Sequence, residues 1–382
     1  MIHALHLTTW HPYIDGTAGT FVVEQCAALQ AAGAKIGLVF SRVEGLRAIS
    51  ARRFARGWPG FVQLHEPVPT YGFKSWNLPG AGPIVPRLNE AMLCNRFDAY
   101  QRALGMPDIL HAHVALEAGI ATRRIAARTG LNYVVTEHSS EVLNGIRSAD
   151  RKRAAERVYA DARKVLAVSP KLAECIMAIY PAANIEVVGN LVRESVFAIR
   201  VSGARQRDRV VIAAVGSLTP NKRVHQLFDA IAGLRGATRD QITCWIVGDG
   251  PCRRRLEQQA AVQGVRAHFF GNLPHGRAMS VLGDADMLVH PSAFETFGVV
   301  LAEALALGLP VIATRCGGPE QIVTEEVGRL VAVDDVAGLR RAIEEMVHDL
   351  ASWKARQETI RRYARCRFHE ANLASAILET YR

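Results

Sequence analysis

The sequence predicts an α/β protein built as two doubly wound halves, each a parallel sheet flanked by helices. Three observations carry that expectation. Short apolar runs alternate with helix-period stretches along most of the chain, the pattern of repeated βαβ units. The alternation breaks at a polar, unpatterned segment, Val201–Asp208, and then restarts. At 382 residues, the chain has room for two domains of roughly 100–200 residues each.

Ile2–Leu7 reads as a buried strand. It leads into a loop holding Gly16 and Gly19 and then a helix over Phe21–Ala32, stopped by Gly33. Lys35–Phe40 closes a right-handed βαβ unit. Residues 42–105 carry Pro59, Pro67, Pro69, Pro79, Pro83 and Pro86 and read as irregular chain over one edge. Alternation then resumes with strand Ile109–Ala112, helix Leu116–Arg128 ended by Gly130, and strands Tyr133–Thr136, Lys164–Val168 and Ile185–Val188. In the second half, strands are expected at Val210–Val215, Thr243–Val247, Ala267–Phe270, Met287–His290 and Val311–Thr314. Helices are expected at Val224–Leu234, Arg253–Gln263, Arg277–Leu282, Val299–Leu307, 336–350 and 370–381. The domain reading is 1–190, a connection over 191–208, a second domain over 209–365, and a last helix in 366–382 that packs back toward the first domain. In such sheets ligands sit outside the carboxyl ends of the strands, so two halves facing across a cleft put the chemistry just after each strand.

Composition removes other classes. Apolar residues at 49% and charged residues at 21% exclude wholesale disorder and fibrous structure. The apolar stretch Val299–Ala313 is broken by Glu303, and no stretch reaches the roughly 18 clean residues of a spanning helix. Met1–Thr8 has neither the basic start nor the apolar core of a signal peptide. Seven scattered cysteines, never spaced C-x-x-C, form no disulfide framework or zinc cluster and suit a reduced cytoplasmic setting. The net charge of +10 is spread along the chain, and its densest cluster is Arg147, Arg151, Lys152, Arg153 and Arg157, read as a solvated helix face. Nucleic-acid binding would rest on net charge alone and is not expected.

The segment Leu288–Gly298, running on to Glu303, carries the strongest chemical signal. It reads as a strand, a tight loop and a helix start near Gly298, whose free N–H groups suit a diphosphate. Gly298 permits close approach of a ligand to the backbone. Glu295 and Glu303 can reach opposite ends of a long ligand, each able to grip vicinal sugar hydroxyls. Gly308-Leu309-Pro310 ends the helix. His111-Ala112-His113 and Asp284-Ala285-Asp286 have metal-like spacing but lack partner ligands, and no metal site is expected. Gly248-Asp249-Gly250 lacks the third glycine of a dinucleotide fingerprint and reads as a turn near a nucleotide. Arg253, Arg254 and Arg255 open a helix and read as solvated.

HPSAFETFGVVLAEALALGLPVIATRCGGPEQIV, with its E-x7-E spacing, resembles the donor-binding core of GT-B retaining glycosyltransferases of family 4 (glycosyl transferases group 1). VGDGP (Val247–Pro251), AAVGSLTPNKRVHQLFDAI, TEHSSEV and GTAGTFVVEQCAALQAAG resemble other parts of that family, so the resemblance covers residues 2–381. It implies a GT-B fold and a set of roles. Glu303 would hold the nucleotide ribose, and Glu295 the transferred sugar. The backbone at Thr296, Phe297 and Gly298 would face sugar and diphosphate. Lys222, beside Gly216, would neutralise the leaving diphosphate, and Gly248, Asp249 and Gly250 would lie near the nucleoside. Gly16 and Gly19 would let the N-terminal loop close over the phosphates, and His138 would lie near the reacting carbon.

Three positions depart from the family pattern. Ser217 stands where an Arg is frequent, with Arg223 as the nearby candidate to replace that charge. Ser139, Ser140 and Glu141 follow His138 without the usual Asp. The Gly317–Glu320 turn is one residue tighter. The expected function is retaining, metal-independent transfer of a sugar from a UDP- or GDP-sugar to a saccharide or lipid-linked saccharide in polysaccharide biosynthesis. No cofactor is expected beyond the donor itself. The expected location is the cytoplasm, with peripheral contact at the inner face of a membrane. The alternatives weighed are a non-catalytic sugar-nucleotide or glycan-binding homologue, and an isomerase or phosphorylase on the same architecture.

Overall fold

All six side chains of β1 (His3–Thr8) are buried, as in a parallel strand covered on both faces. The structure is a computed structural model that describes residues 1–12, 19–45, 60–77, 84–199 and 209–382. It divides into two units, Met1–Leu191 with Glu370–Arg382, and Val192–His369.

The first unit continues with α1 (Thr20–Ala31), β2 (Lys35–Gly45), β3 (Gly60–Leu64), β4 (Thr70–Asn77), α2 (Val85–Leu104), β5 (Ile109–His113), α3 (Ile120–Thr129) and β6 (Asn132–Glu137). It then runs through α4 (Ser140–Leu143), α5 (Ala149–Asp161), β7 (Lys164–Ala167), α6 (Pro170–Ile179) and β8 (Ile185–Val187). Among the described residues the sheet order is β3-β4-β2-β1-β5-β6-β7-β8. Every pairing is parallel except β3 with β4. The order reverses between β1 and β5, where the register sets His6 opposite His111. On one face, Val22, Cys26 and Leu29 of α1 share a buried core with Ile36, Leu38 and, from the far end of the chain, Leu373, Ala374, Ile377 and Tyr381.

Three expectations for this half are corrected. Residues 60–77 and 84–104 are not irregular, because β3 and β4 form an antiparallel pair at the sheet edge and α2 runs for 20 residues, while 46–59 and 78–83, with Pro59, Pro79 and Pro83, lie outside the described residues. Pro67 and Pro69 fall in the β3–β4 turn, and Pro86 sits in the first turn of α2, where a missing N–H costs nothing. The helix expected from Leu116 starts at Ile120. Before it, Leu116 is extended and Glu117 has φ 66°, and the Ala115 N–H is taken by the Glu137 carboxylate at 3.0 Å. Helix α6 was not anticipated, and α5 was foreseen only as the helix face that carries the basic cluster. α5 and α6 are capped by Ser148 and Ser169, whose hydroxyls accept from the N–H groups of Arg151 and Leu172. The basic cluster falls largely on α5, with Lys152, Arg153 and Arg157 exposed.

The second unit comprises α7 (Glu194–Phe197), β9 (Val210–Val215), α8 (Val224–Ala232), α9 (Gly236–Asp240), β10 (Ile242–Val247), α10 (Arg253–Gln263), β11 (Ala267–Gly271), α11 (His275–Gly283) and β12 (Met287–His290). It continues with α12 (Val299–Ala306), β13 (Val311–Thr314), β14 (Gly328–Val331), α13 (Val336–His348), α14 (Leu350–Ala355) and α15 (Gln357–Phe368). The last helix, α16 (Glu370–Tyr381), belongs to the first unit. The sheet order is β11-β10-β9-β12-β13-β14, parallel throughout and reversing between β9 and β12. Residues 192–199, expected within the connection, are part of this unit, and the Val192 N–H donates to Phe368 O at 2.7 Å. Val201–Asp208 lies outside the described residues. β14, α14 and α15 were not foreseen.

Candidate functional site

In the second unit the site forms beyond the carboxyl ends of β9 and β12, at the switch in strand order. β9 runs into Gly216 at φ 142° and β10 into Gly248 at φ 130°. These turns lie backbone to backbone. The Leu218 N–H donates to Asp249 O at 2.9 Å, and a Cβ on Gly248 would lie 2.0 Å from Gly216 O. A Cβ on Gly250 would lie 2.5 Å from Leu218 O, so both glycines are needed for close approach. The Asp249 carboxylate closes its own turn on the Gly250 N–H at 2.8 Å and accepts from Arg253 at 3.2 Å. Gly216, Ser217, Lys222, Val289, His290 and Pro291 line a shared depression.

Lys222 ends the short turn Pro220–Lys222 and pairs with the Glu295 carboxylate. The His290 Nε2 lies 2.8 Å from the same carboxylate and 3.0 Å from the Ser292 hydroxyl. Burial alone would raise Glu295, but His290 and Lys222 hold it well below the usual carboxylate range. Burial and the neighbouring Lys222 lower His290, against the pull of Glu295, so the ring is neutral. Asn221 fixes the loop that carries Glu295. Its side chain accepts from the Phe294 N–H at 3.2 Å and donates to Phe294 O at 3.1 Å, while its carbonyl accepts from Ala293 at 2.8 Å. Past Glu295, the Gly318 N–H donates to Glu295 O at 2.8 Å, stitching this loop to the Gly317–Glu320 turn. The Phe297 ring is core, so only its backbone is available to a ligand. α12 opens at Gly298, φ 93°, with no side chain capping its first turn, which leaves a helix N-terminus suited to an anion. Glu303 is bound to His275 Nε2 at 2.6 Å, and His275 in turn meets Arg193 at 2.8 Å. Arg223 adopts φ 48° and is turned to Asp334, where an ion pair neutralises it. Asp286 is structural, accepting from the Val211 N–H at 2.7 Å and pairing with Lys354.

In the first unit, Gly19 has φ 79°, and a Cβ there would lie 2.3 Å from Trp10 O. Gly16 lies outside the described residues. His138 follows β6 with its ring 4.6 Å from Phe21, and burial pushes it down to about 3, so it is neutral. Glu137, fully buried, accepts from the N–H groups of Ala115, His138 and Ser139 and from the Tyr159 hydroxyl. Burial raises its carboxyl, and these four bonds oppose the rise. Neither Glu137 nor Asn221 was singled out from the sequence. A glutamate ending the apolar run Tyr133–Thr136 was the available signal. His6 was also missed. It joins His111 and His113, and ring nitrogens of the three lie within 4.8 Å of one another. Those nitrogens are already hydrogen-bonded, His6 Nδ1 to His113 Nε2 at 2.9 Å, and the His111 and His113 rings stack at 8°.

Comparison with known proteins matches residues 18–195 to the model of Glycosyltransferase Family 4 and residues 196–366 to that of Glycosyl transferases group 1. The chain is 31% identical over 343 residues to the 2-deoxystreptamine glucosyltransferase of Streptomyces kanamyceticus, covering 86% of this chain and 79% of that protein. It is 28% identical over 287 residues to a glycogen synthase of Mycobacterium tuberculosis, covering 72% and 68%. In structure it is similar to the sucrose-phosphate synthase of Thermosynechococcus elongatus, with a TM-score of 0.80 at 21% identity over 100% and 98% of the two chains. It also resembles Anabaena HepE in complex with UDP-glucose, with a TM-score of 0.74 at 22% identity over 100% and 99%. These neighbours share the GT-B fold.

Proposed function

The chain belongs to the group 1, family 4 glycosyltransferases, and on that premise we propose a retaining transfer from a UDP- or GDP-sugar to a hydroxyl of a saccharide or lipid-linked saccharide. The observation that carries the reading is the Lys222–Glu295–His290 cluster beside the uncapped start of α12. An incoming diphosphate takes the place beside Lys222 and the first N–H groups of α12. Lys222 then serves the leaving phosphate, and Glu295, still held by His290, is released to accept from sugar hydroxyls. Glu303, kept in place by His275, takes the ribose. The anomeric carbon–phosphate oxygen bond breaks as the bond to the acceptor oxygen forms on the same face, and the acceptor proton passes to the leaving phosphate. Charge develops on that phosphate, so Lys222 and the helix start supply the largest protein contribution. No metal ion takes part in this scheme. The exposed Lys152 and Arg157 of α5 supply positive charge for an anionic membrane surface at the inner face of a membrane. Among the described residues no helix is long and apolar enough to cross a membrane.

The test is thermal unfolding with UDP, GDP and ADP in turn, without metal, followed by turnover of the corresponding sugar nucleotides. One nucleotide raising the midpoint, with the rise lost in Glu303→Ala, supports the donor site. Turnover abolished by a chelator overturns the metal-free scheme.

A further inference from the structure

Five hydrogen bonds join six side chains of the first unit into one line. Thr136 Oγ1 lies 2.6 Å from His111 Nε2, and His111 Nδ1 lies 2.6 Å from the Tyr381 hydroxyl. That hydroxyl lies 3.1 Å from His6 Nε2, and His6 Nδ1 lies 2.9 Å from His113 Nε2. His113 Nδ1 ends the line 3.3 Å from His138 Nε2. The line links three strands and α16, and every member is buried. Burial pushes His6 and His138 down to about 3 and holds His111 and His113 well below the ordinary value, so all four rings are neutral.

A neutral imidazole has one donor and one acceptor, and a phenol hydroxyl has a single proton. The bonds must therefore run head to tail, in one direction or the other. Thr136 decides which. Among the described residues its hydroxyl has His111 as its one partner. Run the other way, the line would seal the Thr136 hydroxyl proton in the core without an acceptor, whereas the His138 end is 7% exposed and water can meet its Nδ1–H, so the threonine donates. Each following proton is then assigned. His111 Nδ1–H donates to Tyr381, Tyr381 to His6 Nε2, His6 Nδ1–H to His113 Nε2, and His113 Nδ1–H to His138 Nε2.

We infer that Tyr381 and Thr136 are positioning residues that hold His138, through His6, His111 and His113, in the tautomer protonated on Nδ1. His138 then presents an N–H donor to a ligand oxygen and has no free lone pair with which to take an acceptor proton. The line stops at buried Thr136, so it stores a direction and does not conduct a proton onward. The consequence for the ligand rests on the glycosyl-transfer reading. The tautomer does not.

The experiment reads ring protonation directly at neutral pH, by long-range proton–nitrogen NMR of protein with 15N-labelled histidine, without substrate. Substitutions of single histidines by Gln assign the four signals among the 13 histidines. The expected result is Nδ1 protonation at all four rings in the unmodified protein and in Thr136→Ser. In Tyr381→Phe, which keeps the ring packing, and in Thr136→Val, His138 should become a mixture of tautomers. Far-UV circular dichroism verifies that each variant is folded. His138 protonated on Nε2 in the unmodified protein, or unchanged in Tyr381→Phe, overturns the inference. Since no turnover is measured, a failed transfer reaction leaves this result standing.

Discussion

Tyr159 donates its hydroxyl to Glu137 Oε2 at 2.8 Å, with neither side chain reached by solvent. This pair anchors both loops at the carboxyl ends of β5 and β6, because the same carboxylate holds Ala115, His138 and Ser139. Tyr159→Phe keeps the ring and removes one donor from a buried carboxylate. The expected loss is about 1–3 kcal/mol, read as a lower urea midpoint at unchanged slope.

Lys222→Ala should lower kcat by about 10²–10³-fold, the scale for one preorganised charge at a developing anion. A rise in KM with kcat unchanged would show that Lys222 binds ground state and transition state alike.

Glu303→Ala should abolish nucleotide-induced stabilisation, which in the unmodified protein is about 2.7 kcal/mol at 100 times the dissociation constant. His275→Ala should weaken the shift without abolishing it, because His275 steadies the carboxylate at 2.6 Å and leaves it in place. Equal loss in both variants would make His275 a ligand contact.

Acid should destabilise the protein before carboxylates titrate. His6 and His138 are lowered from 6.5 to about 3 in the folded state. Below pH 6.5 the unfolded chain takes up protons that the folded chain refuses, so stability is full above that pH and falls toward pH 3. Each such imidazole contributes a slope of about 1.4 kcal/mol per pH unit in that window. Glu137, raised by burial, works in the opposite direction in its own range but is a single group. Urea midpoints at pH 7.5 and 5 check the sign.

Gly248→Ala forces a Cβ to 2.0 Å from Gly216 O at φ 130°. Strain of this kind costs on the order of 1–3 kcal/mol. Both thermal midpoint and nucleotide affinity should fall. Gly276→Ala, with nothing within 4 Å of its Cβ, is the matched control and should be neutral or slightly stabilising.

The loop into α12 was legible because its signals are local. Gly298 starts the helix and Gly308-Leu309-Pro310 stops it. Lys222 and Glu295 were each picked out, but their ion pair spans 73 residues and no local spacing encodes it. The same holds for His6, which meets His111 only through the register of β1 on β5. The α2 region was misread because prolines were taken as breakers, whereas Pro67 and Pro69 shape a turn and Pro86 sits where helices tolerate it. The late start of α3 lies in the extended Leu116 and the positive φ of Glu117, for which residues 114–118 carry no glycine or proline signal.

The core beneath α1 is completed by Leu373, Ala374, Ile377 and Tyr381, with the whole second unit between them and residue 191. On the ribosome, the unit that emerges before residue 191 therefore waits for a helix made after the second unit. At about 5–20 residues per second, the 190 residues from 191 to 381 take about 10–40 s, during which the core beside α1 lacks the side chains of Leu373, Ala374, Ile377 and Tyr381. The order of synthesis thus runs against the order of assembly, and the nascent chain is a natural client for a holding chaperone over that interval.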